Sequence, residues 1–249
     1  AVGLSEIEPA VAGLQNIPMA FRSLDEVDYI GEKMRPMLEK RLADKGFMVL
    51  FWADAGWVRF FSKQPAIRPD DMRKNKVFVW AGSADSVDIY KFAGFNPVPL
   101  ETVDILPNLQ TGLITAIPTP PFFALATQID KPAPNMLELN WGPLVGATVI
   151  SKKTWDSIPA PAREEMLQAA AKTGKLVKEN NRRESDEAVE AMKKRGLKVH
   201  KVTPEIEAEW QRVAETVYPK VRGTLVPPDI FDEVMRLLKE YRAQKPAAK

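Results

Sequence analysis

The chain has no cysteine, a single histidine and no long apolar run. Lack of cysteine excludes disulfides, thiolate nucleophiles and cysteine-ligated metals; it is compatible with an oxidising compartment without assigning one. One histidine leaves little for a catalytic triad or a zinc site, so no metal, no cofactor and no enzymatic chemistry is expected. That histidine, His200, lies in KVHKV, an alternating segment that reads as a half-exposed strand with a surface or packing role. The longest apolar stretch, FMVLFWA from Phe47 to Ala53, falls far short of the roughly 20 residues a membrane-spanning helix needs.

Neither sign of charge dominates. Lysine and arginine total 35 against 33 acidic residues, interspersed along the chain, so no basic face for nucleic acid is advertised. Neither GxGxxG nor P-loop spacing occurs, and there is no internal repeat. No charged segment followed by an apolar one opens the sequence; an export signal is expected to have been removed or to lie outside it. The acidic pairs Asp70–Asp71 and Glu164–Glu165 fall at helix starts, where acids favour the helix dipole without any catalytic role.

What is present is proline, 21 residues of 249, clustered at element boundaries, and a repeated alternation of helical and strand patterns. Ser23 and Glu26 have capping-box spacing, and Val27, Ile30, Met34, Leu38 and Leu42 mark one apolar helix face up to Gly46. Phe47–Ala53 then reads as a buried strand. Further strands are expected at Lys76–Trp80, Asn96–Leu100, Leu113–Ile117, Met136–Asn140, Gly146–Ser151 and Leu197–Val202. Helices fall between them, at Ser83–Phe92 and Val103–Thr111, from Pro204 to about Val221 and from Pro228 through Tyr241, with a frayed QKPAAK tail. The strongest helical signal runs from Pro161 to about Arg195, roughly 50 Å at 1.5 Å per residue, with Gly174 as a point where it could bend. A helix that outruns one small domain implies an α/β protein of two lobes, with small ligands expected in a cleft between them.

Several segments, in order, resemble the DctP-type solute receptors of TRAP transporters. They are LQNIPMAF at 14–21, Lys45–Gly46 before a strand, KQPAIRPDDMRKNKV at 63–77, YKFAGFNPVPLE at 90–101, LQTG at 109–112 and VISKKTWDSIP at 149–159. Each is degenerate alone; the ordered set, spanning residues 4–222, is specific. The resemblance implies a two-lobed periplasmic-binding-protein fold of type II-like form, with a long helix bridging both lobes. On that template residues 1–55 and 144–180 form the first lobe, 56–143 and 181–222 the second, and 223–249 a C-terminal helix and tail. The first lobe would lack about two βα units that family members carry. The function implied is periplasmic capture of a small organic solute, an organic acid or a more apolar compound, and its delivery to a sodium-coupled TRAP permease. A partner chain completing the first lobe and a homodimer both stay open. The alternative is a family member repurposed as an assembly or regulatory subunit that binds no solute.

The same resemblance points to ligand-binding residues. The family strand K-hydrophobic-R-V carries an arginine that clamps a carboxylate through two parallel hydrogen bonds; here it reads Lys76, Val77, Phe78, Val79, so phenylalanine occupies the clamp position. A second family arginine matches Arg59 of AGWVRFF with one residue of spacing changed, and the family's polar G-x-E-x-P segment corresponds to AIPTP, placing Thr119 at its polar position. Trp57, Trp80 and Trp141 lie in or beside strand ends, where an indole can line an apolar cleft, and Asp54 just after a buried strand either caps a turn or contacts solute. Each has an ordinary counterpart: core packing for Phe78 and the tryptophans, a stacked guanidinium for Arg59, a turn position for Thr119.

Overall fold

The computed structural model describes residues 2–244. In chain order its helices are α1 (Val2–Ile7), α2 (Leu24–Asp44), α3 (Pro69–Arg73), α4 (Ala84–Phe92), α5 (Ile105–Thr111), α6 (Pro121–Ala126), α7 (Lys152–Ser157), α8 (Ala160–Lys193), α9 (Pro204–Thr224) and α10 (Pro228–Gln244). The strands are β1 (Phe47–Ser62), β2 (Lys76–Trp80), β3 (Asn96–Leu100), β4 (Ala116–Thr119), β5 (Asn135–Ser151) and β6 (Lys198–Lys201), and Pro9–Leu14 is a 3-10 helix. The tail expected to fray lies, from Lys245 on, outside the described residues.

Two strands outrun their sequence patterns. β1 was expected to stop at Ala53, because Asp54 and Gly56 are turn formers. Instead the Asp54 carboxylate accepts the Gly56 N–H at 3.1 Å, Gly56 takes φ 73°, and the chain resumes as strand to Ser62. β5 passes through Pro143 in the same way, fusing two expected strands into one of 17 residues. β4 begins three residues later than the apolar run Leu113–Ile117, since the Thr115 hydroxyl accepts the Lys76 N–H and donates to Asn75 ahead of the ladder. Gly174 does not bend α8: a Cβ there would lie 2.7 Å from Phe51, so glycine allows that helix to lie directly on β1.

The chain divides into two compact units. The first takes in the residues up to Gly56, Pro143–Arg183 and the segment from Val226. Its core is the buried face of α2 (Val27, Ile30, Met34, Leu38, Leu42) against Ile230, Val234, Leu237 and Leu238 of α10. Helix α10 therefore belongs to this unit and does not stand apart from it. Gly13 admits Ile230, whose methyl would be 2.5 Å from any added Cβ. Ser23 caps α2 by accepting the Glu26 N–H, while the buried Glu26 carboxylate accepts from Arg22 N and from Arg242 at 2.8 and 2.9 Å.

A charged network fastens α8 to this unit. Arg182 donates to Asp54 at 3.0 and 2.6 Å and to Asp28 at 3.1 and 2.6 Å, and Lys178 reaches Asp28 at 2.6 Å. Burial alone would pull the guanidinium pKa down, but the bonds to Asp54 and Asp28 outweigh it and hold it above the ordinary value. Burial likewise pushes the Asp28 carboxyl up, and Arg182 and Lys178 together bring it below its usual 3.8.

The second unit comprises Trp57–Gly142 and Glu184–Leu225 and holds a sheet of order β3-β2-β4-β1-β5-β6. One face carries Phe61, Ile117 and Met136 beneath Leu109, Ala124, Ala188 and Met192 of the covering helices. The other carries an aromatic cluster around Trp210, fully buried, whose indole N–H donates to the Ile67 carbonyl at 2.8 Å.

Replacing Arg182 with methionine strands Asp54, only 5% exposed, without its counter-charge, and the expected cost is about 3 kcal/mol in urea unfolding at neutral pH. Because the folded Asp28 pKa is depressed, the wild-type contribution is fully present above the ordinary carboxylate pKa and fades as pH falls below it. The difference between wild type and Arg182→Met in urea midpoint is therefore expected to narrow in acid.

Candidate functional site

Strands β2, β3 and β4 of the second unit run parallel, with β2 joined to β3 from Lys76↔Asn96 to Trp80↔Leu100 and to β4 at Val77↔Ala116. Their carboxyl ends are Trp80, Leu100 and Thr119, the end of an open α/β sheet where ligands collect. β1 runs antiparallel to β4, and its register pairs Arg59 with Thr119. The two residues that the sequence analysis placed at a ligand from distant segments are thus neighbours across one ladder.

Alternation sets which side chains share a face. Phe61, Ile117 and Met136 belong to one apolar cluster, so Arg59, Thr119, Glu138 and Asn140 continue that face beyond it. Phe78 packs against the same cluster, half-buried, and Trp80 follows two residues later. The Trp80 indole donates to Glu101 at 3.2 Å and folds over Gly82, where a Cβ would stand 2.1 Å from the ring.

The electrostatics of this row are unbalanced. Among the described residues Arg59 makes neither a hydrogen bond nor an ion pair, although it is largely withdrawn from solvent. Burial lowers its pKa below the ordinary value, opposed by Glu138 and Asp186, the anions in its field. The Asn140 Oδ1 atom is out of solvent with no hydrogen-bond partner among the described residues. Buried polar groups are normally paired, so an unpaired guanidinium on β1 and an unpaired amide oxygen on the neighbouring β5 are exceptions in this sheet.

Of the other expected site residues, Trp141 and Asp54 lie elsewhere, while Trp57 is in phase with Arg59 on β1. Trp141 faces the opposite side of the sheet, 5.2 Å from Phe60, 5.8 Å from Trp210 and 6.5 Å from Tyr90 between ring centroids, because its odd position on β5 puts it out of phase with Glu138 and Asn140. Burial in that cluster pushes the Tyr90 hydroxyl up to about 12. Asp54 belongs to the first unit, where Arg182 and Gly56 occupy its carboxylate. Trp57 precedes Arg59 by two residues on β1 and is half-buried. His200 Nε2 lies 3.0 Å from Asn135 Oδ1, a strand-to-strand bond. Glu138, Asn140 and Asp186 were missed. The signal for the first two was their even spacing in NMLELNW, polar positions inside an apolar strand.

The first unit holds a groove of about 570 Å³ lined by Val27, Met48, Phe51, Leu167 and Ala171; of its charged members, Asp28, Asp54 and Lys178 pair with one another or with Arg182, and Arg35 pairs with Glu39. Among the described residues no group of three or more acids and histidine is placed to hold a metal ion.

A desolvated cation without a partner is a cost to folding. Arg59→Met is accordingly expected to raise the unfolding temperature, by the equivalent of about 1 kcal/mol, in a thermal melt without ligand. A loss of stability instead would mean that Arg59 is held for the fold.

Residues 2–224 match the family model described as bacterial extracellular solute-binding protein, family 7. Over 209 residues the chain is 24% identical to the C4-dicarboxylate-binding periplasmic protein DctP of Rhodobacter capsulatus, covering 83% of this chain and 62% of that protein. It therefore spans about three-fifths of that relative's length. Among solved structures, a TRAP periplasmic solute-binding protein from Ralstonia eutropha H16 with bound (S)-2-acetolactate superposes with a TM-score of 0.86 at 18% identity, covering 95% of this chain and 76% of that one. Another, from Shewanella oneidensis with bound succinate, gives 0.86 at 19% identity, with coverage of 94% and 77%. The chain shares their two-lobed periplasmic-binding-protein fold.

Proposed function

The chain belongs to family 7 of the bacterial extracellular solute-binding proteins, and on that premise we propose that it captures a small organic carboxylate in the periplasm and delivers it to a TRAP-type permease. The observation that carries this reading is Arg59: a guanidinium largely withdrawn from water, without a partner among the described residues, at the carboxyl ends of the parallel strands. Its planar fork suits a carboxylate, which two parallel N–H···O bonds would hold. The Ralstonia and Shewanella proteins hold acetolactate and succinate, both carboxylates.

Buried Thr119 is Arg59's register partner on β4, and the rings of Phe78 and Trp80 belong to β2 on the far side of that strand. Phenylalanine accepts no second carboxylate, so the solute carries one acid group and an apolar body for these rings. Binding, holding and release make up the whole mechanism, with no bond made or broken, and the reading is of a carrier, not an enzyme.

Thermal-shift and calorimetric screening of the purified chain against monocarboxylates and dicarboxylates tests this. Acids with an aromatic or branched aliphatic body are expected to bind at least tenfold more tightly than succinate, and Arg59→Met is expected to weaken them by at least a hundredfold. If no carboxylate stabilises the protein, the alternative of a subunit that binds no solute gains. If only small dicarboxylates do, the assignment of Phe78 and Trp80 to the solute is wrong.

A further inference from the structure

The row around Arg59 carries more negative charge than positive. Glu138 and Asp186 both act on the one guanidinium, from β5 and from α8. Lys201, the register neighbour of Glu138 on β6, is exposed and forms no ion pair with it. Glu138 itself has no hydrogen bond or ion pair among the described residues. A plain carboxylate seated on Arg59 would be a third anion in the field of one cation, and like charges so close in a partly desolvated place repel.

Asn140 adds a second demand. Its buried Oδ1 has no hydrogen-bond partner among the described residues, and an amide oxygen is satisfied only by a donor. A carboxylate has none to give. Glu138 and Asn140 lie two residues apart on β5, and strand alternation puts both on the face that carries Arg59 of the neighbouring β1.

Resting on the reading of Arg59 as the carboxylate's partner, we infer that the solute is a zwitterion: a carboxylate and an ammonium on one apolar framework, the carboxylate on Arg59 and the ammonium between Glu138 and the Asn140 amide oxygen. Such a ligand adds no net charge to the row, brings Glu138 a counter-ion and gives Asn140 its donor. The apolar remainder falls to Phe78 and Trp80, which describes an α-amino acid with an aromatic or branched aliphatic side chain.

The test uses matched probes that differ in one group: phenylalanine, 3-phenyllactate and 3-phenylpropanoate, each titrated calorimetrically into wild type and into Glu138→Gln. In wild type, phenylalanine is expected to bind at least tenfold more tightly than either acid. In Glu138→Gln that advantage falls within threefold, while the two acids bind as well as before or better, because a competing negative charge is gone. Glu138→Asp, which keeps the charge, retains the preference. Equal or tighter binding of 3-phenyllactate or 3-phenylpropanoate in wild type overturns the inference and leaves the carboxylate reading standing. A tenfold preference that survives in Glu138→Gln overturns it as well. If none of the three binds, and leucine and 4-methylpentanoate also fail, the carboxylate reading of Arg59 falls and takes this inference with it.

Discussion

A sheet covered on both faces has no inexpensive place for a charge, and the second unit is organised around that constraint. Its strands bury Phe61, Ile117 and Met136 on one side and Phe60, Trp141 and Trp210 on the other. Within such a frame a cation has two stable fates. It is neutralised by the protein, or it is kept for something that comes from outside.

The chain contains both. Arg182 is met by two carboxylates through four hydrogen bonds, so its charge is spent inside the first unit on holding α8 to α2 and β1. Among the described residues Arg59 is met by none, and Glu138 and Asp186 act on it without an ion-pair contact. The same residue type is therefore paired in one unit and unpaired among the described residues in the other, and the difference lies in where the nearest carboxylates stand. Asp54 illustrates the converse: a polar residue after a buried strand that the protein uses up itself.

Aromatic residues divide by strand phase. Trp141 and Phe60 fall on the face where Trp210 stacks with Phe95 at 6.0 Å and the half-buried Tyr90 packs against Trp141. Phe78 and Trp80 fall on the face that continues to Arg59. Phe78 lies on β2 and Arg59 on β1, with β4 between them, and the proposed solute would span that distance with one acid group and an apolar body.

The sequence by itself determined the alternation of helices and strands, the long helix that became Ala160–Lys193, and the family to which the chain belongs. These are local or periodic properties: apolar spacing, caps and turn residues are written within a few positions of one another. It did not reveal that β1 continues past Gly56 or that β5 passes Pro143, because a turn former is tolerated when a neighbouring strand supplies the hydrogen bonds. Only the tertiary structure decided that Arg59 lacks a partner among the described residues, that Trp141 faces away, that Asp54 belongs to Arg182, and that Glu138 and Asp186 act on the Arg59 guanidinium. Each of these depends on which residue lies opposite on another strand or helix, a relation across tens of positions that no local spacing encodes.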